Sequence, residues 1–105
     1  MADYKVPAGA ISAAKRALKW ISEGKAGKGF TSVGRGRAQQ LAKGGSVGRD
    51  TVVKMRAYFA RHKVDKKAKG FYASQEDYPS PGRVAWAAWG GDAGMSWVNG
   101  LSLDD

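Results

Sequence analysis

Glycine pairs and prolines cut this chain into pieces of only a few helical turns, and that limits what it can fold into. Gly24 follows the first apolar segment and Gly44-Gly45 the second. Pro79 and Pro81 flank the start of a fourth, and Gly90-Gly91 and Gly100 close the last two. Glycine costs up to about 1 kcal/mol relative to alanine inside a helix but is favoured just past its end. Between the breaks the apolar residues recur at helical spacing, and no segment reads convincingly as a strand. The expected fold is all-α: one compact domain over residues 1–105, with four to five short helices and a long loop between the third and fourth.

Residues 1–6 read as a frayed start, with Pro7 suited to a first helical turn. Ile11, Ala14, Leu18 and Ile21 then fall on one face of a helix over Ala8–Glu23, and Trp20 flanks that stripe with Ala13 and Ala17. Thr31 or Ser32 is the expected N-cap of a second helix reaching about Lys43, with Val33, Ala38, Leu41 and Ala42 on its apolar side. The third begins at Ser46 or Gly48 and runs to His62, with Val52, Met55 and Phe59 inward and Asp50 complementing the positive helix end. Residues 63–79 lose helical periodicity and read as a loop, in which Phe71, Tyr72 and Tyr78 either pin the segment to the core or offer faces for base stacking. Ser80-Pro81 is a cap-and-start pair for the fourth helix. Asp92 is the expected cap of the fifth, and residues 101–105 form a tail.

Charge narrows the functional classes. The chain carries 18 Lys and Arg against 9 Asp and Glu, a net charge of +9. Sixteen of those cations lie within residues 15–69, alongside only Glu23, Asp50 and Asp65. Such asymmetry points to a polyanionic partner, most often nucleic acid. The absence of cysteine excludes disulfides and thiolate zinc sites. No apolar run approaches the ~18 residues of a membrane span, and the N-terminus lacks the apolar core of a signal peptide. A soluble cytoplasmic protein without a membrane partner is expected.

Nothing in the chain assembles a catalytic set. His62 is the single histidine and stands between Arg61 and Lys63, which disfavours its protonation. The carboxylate pairs Glu76-Asp77 and Asp104-Asp105 are sequence neighbours of the kind that solubilise. Gly24 and Gly29 have the spacing of a phosphate-binding loop, but Phe30 and Thr31 follow where Lys and Ser or Thr are required. The reading is of a non-enzyme without cofactor or metal.

The segment Leu41–Met55, LAKGGSVGRDTVVKM, lies without gaps on the helix-turn-helix pattern. Ala42 is the small residue of the first helix, Val47 the apolar turn residue, and Val52 and Met55 the inward pair of the second. Gly45 and Ser46 depart from the usual turn. On this reading Arg49, Asp50 and Lys54, with Val53 between them, meet the major groove, and Arg49 is placed to read guanine. Arg35, Arg37, Lys43, Arg56, Arg61 and Lys63 face phosphates, with Lys25 and Lys28 of the loop GKAGKGF beside them. Trp86, Trp89 and Trp97 are assigned to the core by their spacing, and a stacking platform is the alternative.

The phrases SAAKRALKWISEGKAGKG (12–29), YFARHKVDKKAKGF (58–71) and YPSPGRVAWAAWGGDAGMSWV (78–98) resemble a small domain of tailed bacteriophages, cyanophages among them. That domain occurs alone or appended to head-maturation and other virion-related proteins. The resemblance covers nearly the whole chain and implies phage origin, with the host cytoplasm during infection, or the virion, as the location. It implies no catalytic role. The combined expectation is a non-catalytic protein binding duplex DNA, mostly through its phosphate backbone. The alternative is a virion-associated module whose basic face meets an acidic protein.

Overall fold

Alanine, where larger aliphatics were expected, decides how the first helix packs. The computed structural model describes residues 3–27 and 30–103. Its elements run β1 (Asp3–Lys5), α1 (Ala8–Ser22), α2 (Ser32–Ala42), β2 (Ser46–Gly48), α3 (Arg49–His62), a 3-10 turn (Lys63–Lys67), α4 (Pro81–Ala88) and α5 (Gly91–Gly100). The all-α architecture and single compact domain agree with the expectation. On α1, however, the fully buried face is Ala10, Ala14 and Ala17, continued by Trp20, while Ile11, Leu18 and Ile21 are half-buried. The small side chains let α5 approach closely. A Cβ added to Gly91 would lie 3.0 Å from Ala13 Cβ, and one added to Gly9 would lie 2.6 Å from Ala93 Cβ.

Helix starts follow local chemistry. Thr31 caps α2 by accepting a hydrogen bond from the Gly34 amide at 3.2 Å, and Ser80 caps α4 by accepting from the Arg83 amide at 3.1 Å. Pro81 opens α4 as expected. The cap of α5 is Gly90, in the left-handed region at φ +115°, and not Asp92. Asp92 sits in the first turn with its carboxylate committed elsewhere.

The N-terminal segment is not frayed where it is described. Asp3–Lys5 pairs antiparallel with Ser46–Gly48, placing Tyr4 opposite Val47, and the Val6 amide extends the ribbon to the Gly45 carbonyl at 2.9 Å. The ribbon exists because Gly44 and Gly45 both take positive φ, +74° and +78°, and turn the chain from helix into extended structure. A strand therefore occupies the position of the helix-turn-helix turn. The consequence for packing is direct: α2 lies chiefly on α1 and α4, and α3 lies on α5. Ala42, Val47, Val52 and Met55 do point into the core, but α2 and α3 are not the closely crossed pair that motif requires.

Two apolar clusters hold the domain. The larger joins Leu41, Val47, Val52, Met55, Phe59, Phe71, Trp86 and Val98 to the first half of α1, which agrees with the expected packing of the third helix near the tryptophans. The smaller gathers Ala17, Trp20, Ala38, Val84, Ala87 and Ala88. Phe71 anchors the loop after the 3-10 turn: it is buried and meets Trp86 edge-on at 5.8 Å. Gln75 Oε1 accepts from the Gly70 and Tyr72 amides, each at 3.1 Å, and folds the loop back on itself. No helix among the described residues is long and apolar enough to cross a membrane.

Candidate nucleic-acid interface

The outer side of α3 follows from its inner one. With Val52, Met55 and Phe59 buried, a turn of about 100° per residue leaves Val53, Ala57 and Ala60 along the middle of the opposite face. Arg49 lies on one edge of that row and Lys54 and Arg61 on the other, and all three are exposed. The centre of the face is low and its margins are cationic, with the exposed carboxylate of Asp50 also on it, at an angle between Ala57 and Arg61. A helix of this profile can approach a groove closely while its flanking cations reach phosphates. Lys63 is exposed at the start of the 3-10 turn, and Arg35 and Lys43 are exposed on and just after α2. Among the described residues, Arg35, Lys43, Lys54, Arg61 and Lys63 form no ion pair.

Two cations of the expected set are turned inward. The Arg37 guanidinium lies 5.0 Å over the Trp89 ring, donates to Gln40 Oε1 and reaches Thr51 Oγ1 at 3.5 Å. Burial holds its pKa below the ordinary arginine value. Arg56 donates from Nε to the Val98 carbonyl at 2.7 Å and from Nη2 to the Leu101 carbonyl. It thereby ties α3 to the end of α5, where the Val98 carbonyl also accepts from the Leu101 amide at 3.4 Å. Both side chains hold elements together, in contrast to the expectation that they face phosphates. Lys25 pairs with Glu23 at 3.2 Å on the far end of α1, away from α3. Lys28 lies outside the described residues.

The tryptophans are engaged with protein groups. Trp86 is buried, and its Nε1 donates to Asp92 Oδ1 at 2.9 Å. Trp89 stacks on Tyr58 at 4.6 Å with planes 3° apart, and Tyr58 stacks in turn on His62 at 4.5 Å. Burial, then the charge of Asp65, pushes the Tyr58 hydroxyl well above the usual tyrosine range. His62 Nδ1 lies 3.1 Å from Asp65 Oδ2, so the single histidine joins a structural column. Tyr72, half exposed, is the aromatic of the loop that remains at the surface. Among the described residues, no three of His, Asp and Glu gather where they could hold a metal.

Asp92 is held by both Lys66 and Trp86. Burial works against its carboxylate, but hydrogen bonds from Lys66, at 2.8 Å, and Trp86, with the charges of Lys66 and Arg83, outweigh it. Its pKa therefore lies below the ordinary aspartate value. A lowered folded-state pKa adds stability at pH above the unfolded value, and that stability is lost as pH falls through the lowered one. Acid unfolding followed by circular dichroism should show a shallower loss below about pH 4 for Asp92→Asn than for the unaltered chain. Equal acid limbs would refute the assignment.

A second group of cations joins Lys25, which was expected near phosphates, to Lys15, Arg16 and Lys19, which were not. Lys15, Arg16, Lys19 and Lys25 line a cleft of 510 Å³ beside Trp20 and Tyr78. The signal was present, since Lys15, Arg16 and Lys19 fall opposite the apolar stripe of α1; what the sequence lacked was the return of Tyr78 to Trp20, edge-on at 5.7 Å. No family model, curated protein or solved structure matches this chain.

Proposed function

We propose that this protein is a non-catalytic DNA-binding module that holds duplex DNA mainly by its phosphates. The observation that carries the reading is the outer face of α3, a row of small residues with exposed cations along its edges, in a chain of net charge +9. Asp50 is the only acid within that helix. Lys54 and Arg61 supply phosphate contacts, with Lys43, Lys63 and Arg35 extending the field around them. Arg37 and Arg56 support the face from inside the fold. Backbone contacts of this kind carry little sequence information, so affinity should vary weakly with duplex sequence and strongly with salt.

Titration of a fluorescent duplex, read by anisotropy, tests this. With about six phosphates neutralised, log K should fall against log salt with a slope near −5. Lys54→Gln with Arg61→Gln should reduce that slope by about 2 and weaken binding on every duplex tried. Lys69→Gln should change little, because Lys69 already faces Glu76 at 3.3 Å and Asp77 at 3.7 Å. Absence of binding at low salt, or an unchanged slope in the double variant, would overturn the proposal.

A further inference from the structure

The domain carries two basic faces, and the packing of α1 and α3 on α5 turns each of them away from the shared core. Gly90 and Gly94 sit where α1 and α3 converge: a Cβ on Gly90 would lie 3.5 Å from Ala10 Cβ and 3.6 Å from Met55 Cε. A Cβ on Gly94 would lie 3.7 Å from Phe59 Cζ and 3.8 Å from Ala10 Cβ. Ala10 on α1 and Met55 and Phe59 on α3 therefore face one another across this point. Helical geometry places Lys15 and Lys19 about 140° and 180° round α1 from Ala10. It places Ala57 about opposite Met55 and Phe59, with Lys54 and Arg61 on the same outward side of α3. Each helix thus packs on α5 and carries its cations on the side away from that contact.

The α1 face is built for an anion in its own right. Lys15, Arg16, Lys19 and Lys25 surround the cleft at Trp20 and Tyr78, and Glu23, the acid that lines it, is occupied by Lys25. Arg16 lies 5.8 Å over Trp20, and Arg83 lies 5.1 Å from the same ring. A cationic track beside aromatic edges suits a sugar-phosphate backbone. The domain is 25 and 22 Å across its shorter axes. Duplex DNA resists bending over about 150 base pairs, so one short duplex cannot follow both faces without a large deformation cost.

We infer that the protein bridges two segments of DNA, one on α3 and one on the α1 cleft. The inference rests on the proposed DNA binding and adds a second, independent surface to it. A two-duplex capture assay separates the two. Beads coated with one duplex are incubated with the protein and then with a fluorescent second duplex, and both retained protein and retained fluorescence are measured. The unaltered chain should be retained and should capture the second duplex. The variant Lys15→Gln/Lys19→Gln/Lys25→Gln, checked for an unchanged circular dichroism spectrum, should still be retained but lose capture to background. Undiminished capture by this variant would overturn bridging through α1 and leave the α3 proposal standing. Retention of the unaltered chain without capture would do the same. Failure of the unaltered chain to bind the beads would overturn both readings.

Discussion

Replacing Trp86 with alanine should destabilise the domain by about 3–5 kcal/mol, the usual range for emptying a buried aromatic site. The Trp86 ring is 1% exposed and meets Phe59 at 4.8 Å and Phe71 at 5.8 Å, both edge-on. Lys66 lies 5.0 Å over the same ring, and the indole nitrogen holds Asp92. Removal therefore opens a cavity among α3, α4 and the loop anchored by Phe71, and also removes the indole hydrogen bond to Asp92 and the ring beneath Lys66. A loss of about 3–5 kcal/mol is a large part of the roughly 5–15 kcal/mol that holds a domain together. Thermal unfolding should show a fall of roughly 12–40 °C, at about 4–8 °C per kcal/mol for a domain of this size. Trp86→Phe retains a ring and loses the hydrogen bond, so its cost should be closer to about 1–2 kcal/mol. Similar midpoints for the alanine variant and the unaltered chain would show that this core assignment is wrong.

Gly90→Ala should cost about 2–5 kcal/mol, although it adds a single methyl group. The backbone there has φ +115°, which strains any residue with a Cβ. The space is also filled, because the new carbon would stand 3.1 Å from the Gly94 Cα and close to Ala10 and Met55. Gly36→Ala supplies the opposite case. That glycine lies inside α2 with helical geometry, and an added Cβ would meet nothing within 4 Å. It should stabilise the domain by up to about 1 kcal/mol through helix propensity. Urea unfolding of the two variants would measure the contrast, and a neutral Gly90→Ala would show that α1, α3 and α5 do not converge as described.

The parts of the fold legible in the sequence were those set by local chemistry. Thr31, Ser80-Pro81, Gly44-Gly45 and Gly90-Gly91 marked helix boundaries because capping and left-handed turns depend on one or two residues. The inward triad of α3 was readable for the same reason. The ribbon was not, since Asp3–Lys5 and Ser46–Gly48 are too short to alternate and pair across more than forty intervening residues. The roles of Arg37 and Arg56 were hidden by treating every cation as a surface group. Their spacing did hold the clue: Arg37 precedes the buried Leu41 by one helical turn, and Arg56 falls between Val52 and Phe59 on the inner side of α3. The α1 cleft needed Tyr78, which only the tertiary fold brings beside Trp20.

The β1–β2 ribbon also has a bearing on how the α3 surface is held. Its closing pair, Asp3 with Gly48, sits immediately before Arg49, so α1 and α2 are contained within a loop whose clasp adjoins the start of α3. The pitch of α3 relative to the body of the domain is then set at two points, by the ribbon at its start and by mid-helix Arg56 gripping the end of α5. Substitutions at Tyr4 or Val47 would act as adjustments of tilt. They would change the angle at which α3 presents its outer face while leaving each of its cations on that helix.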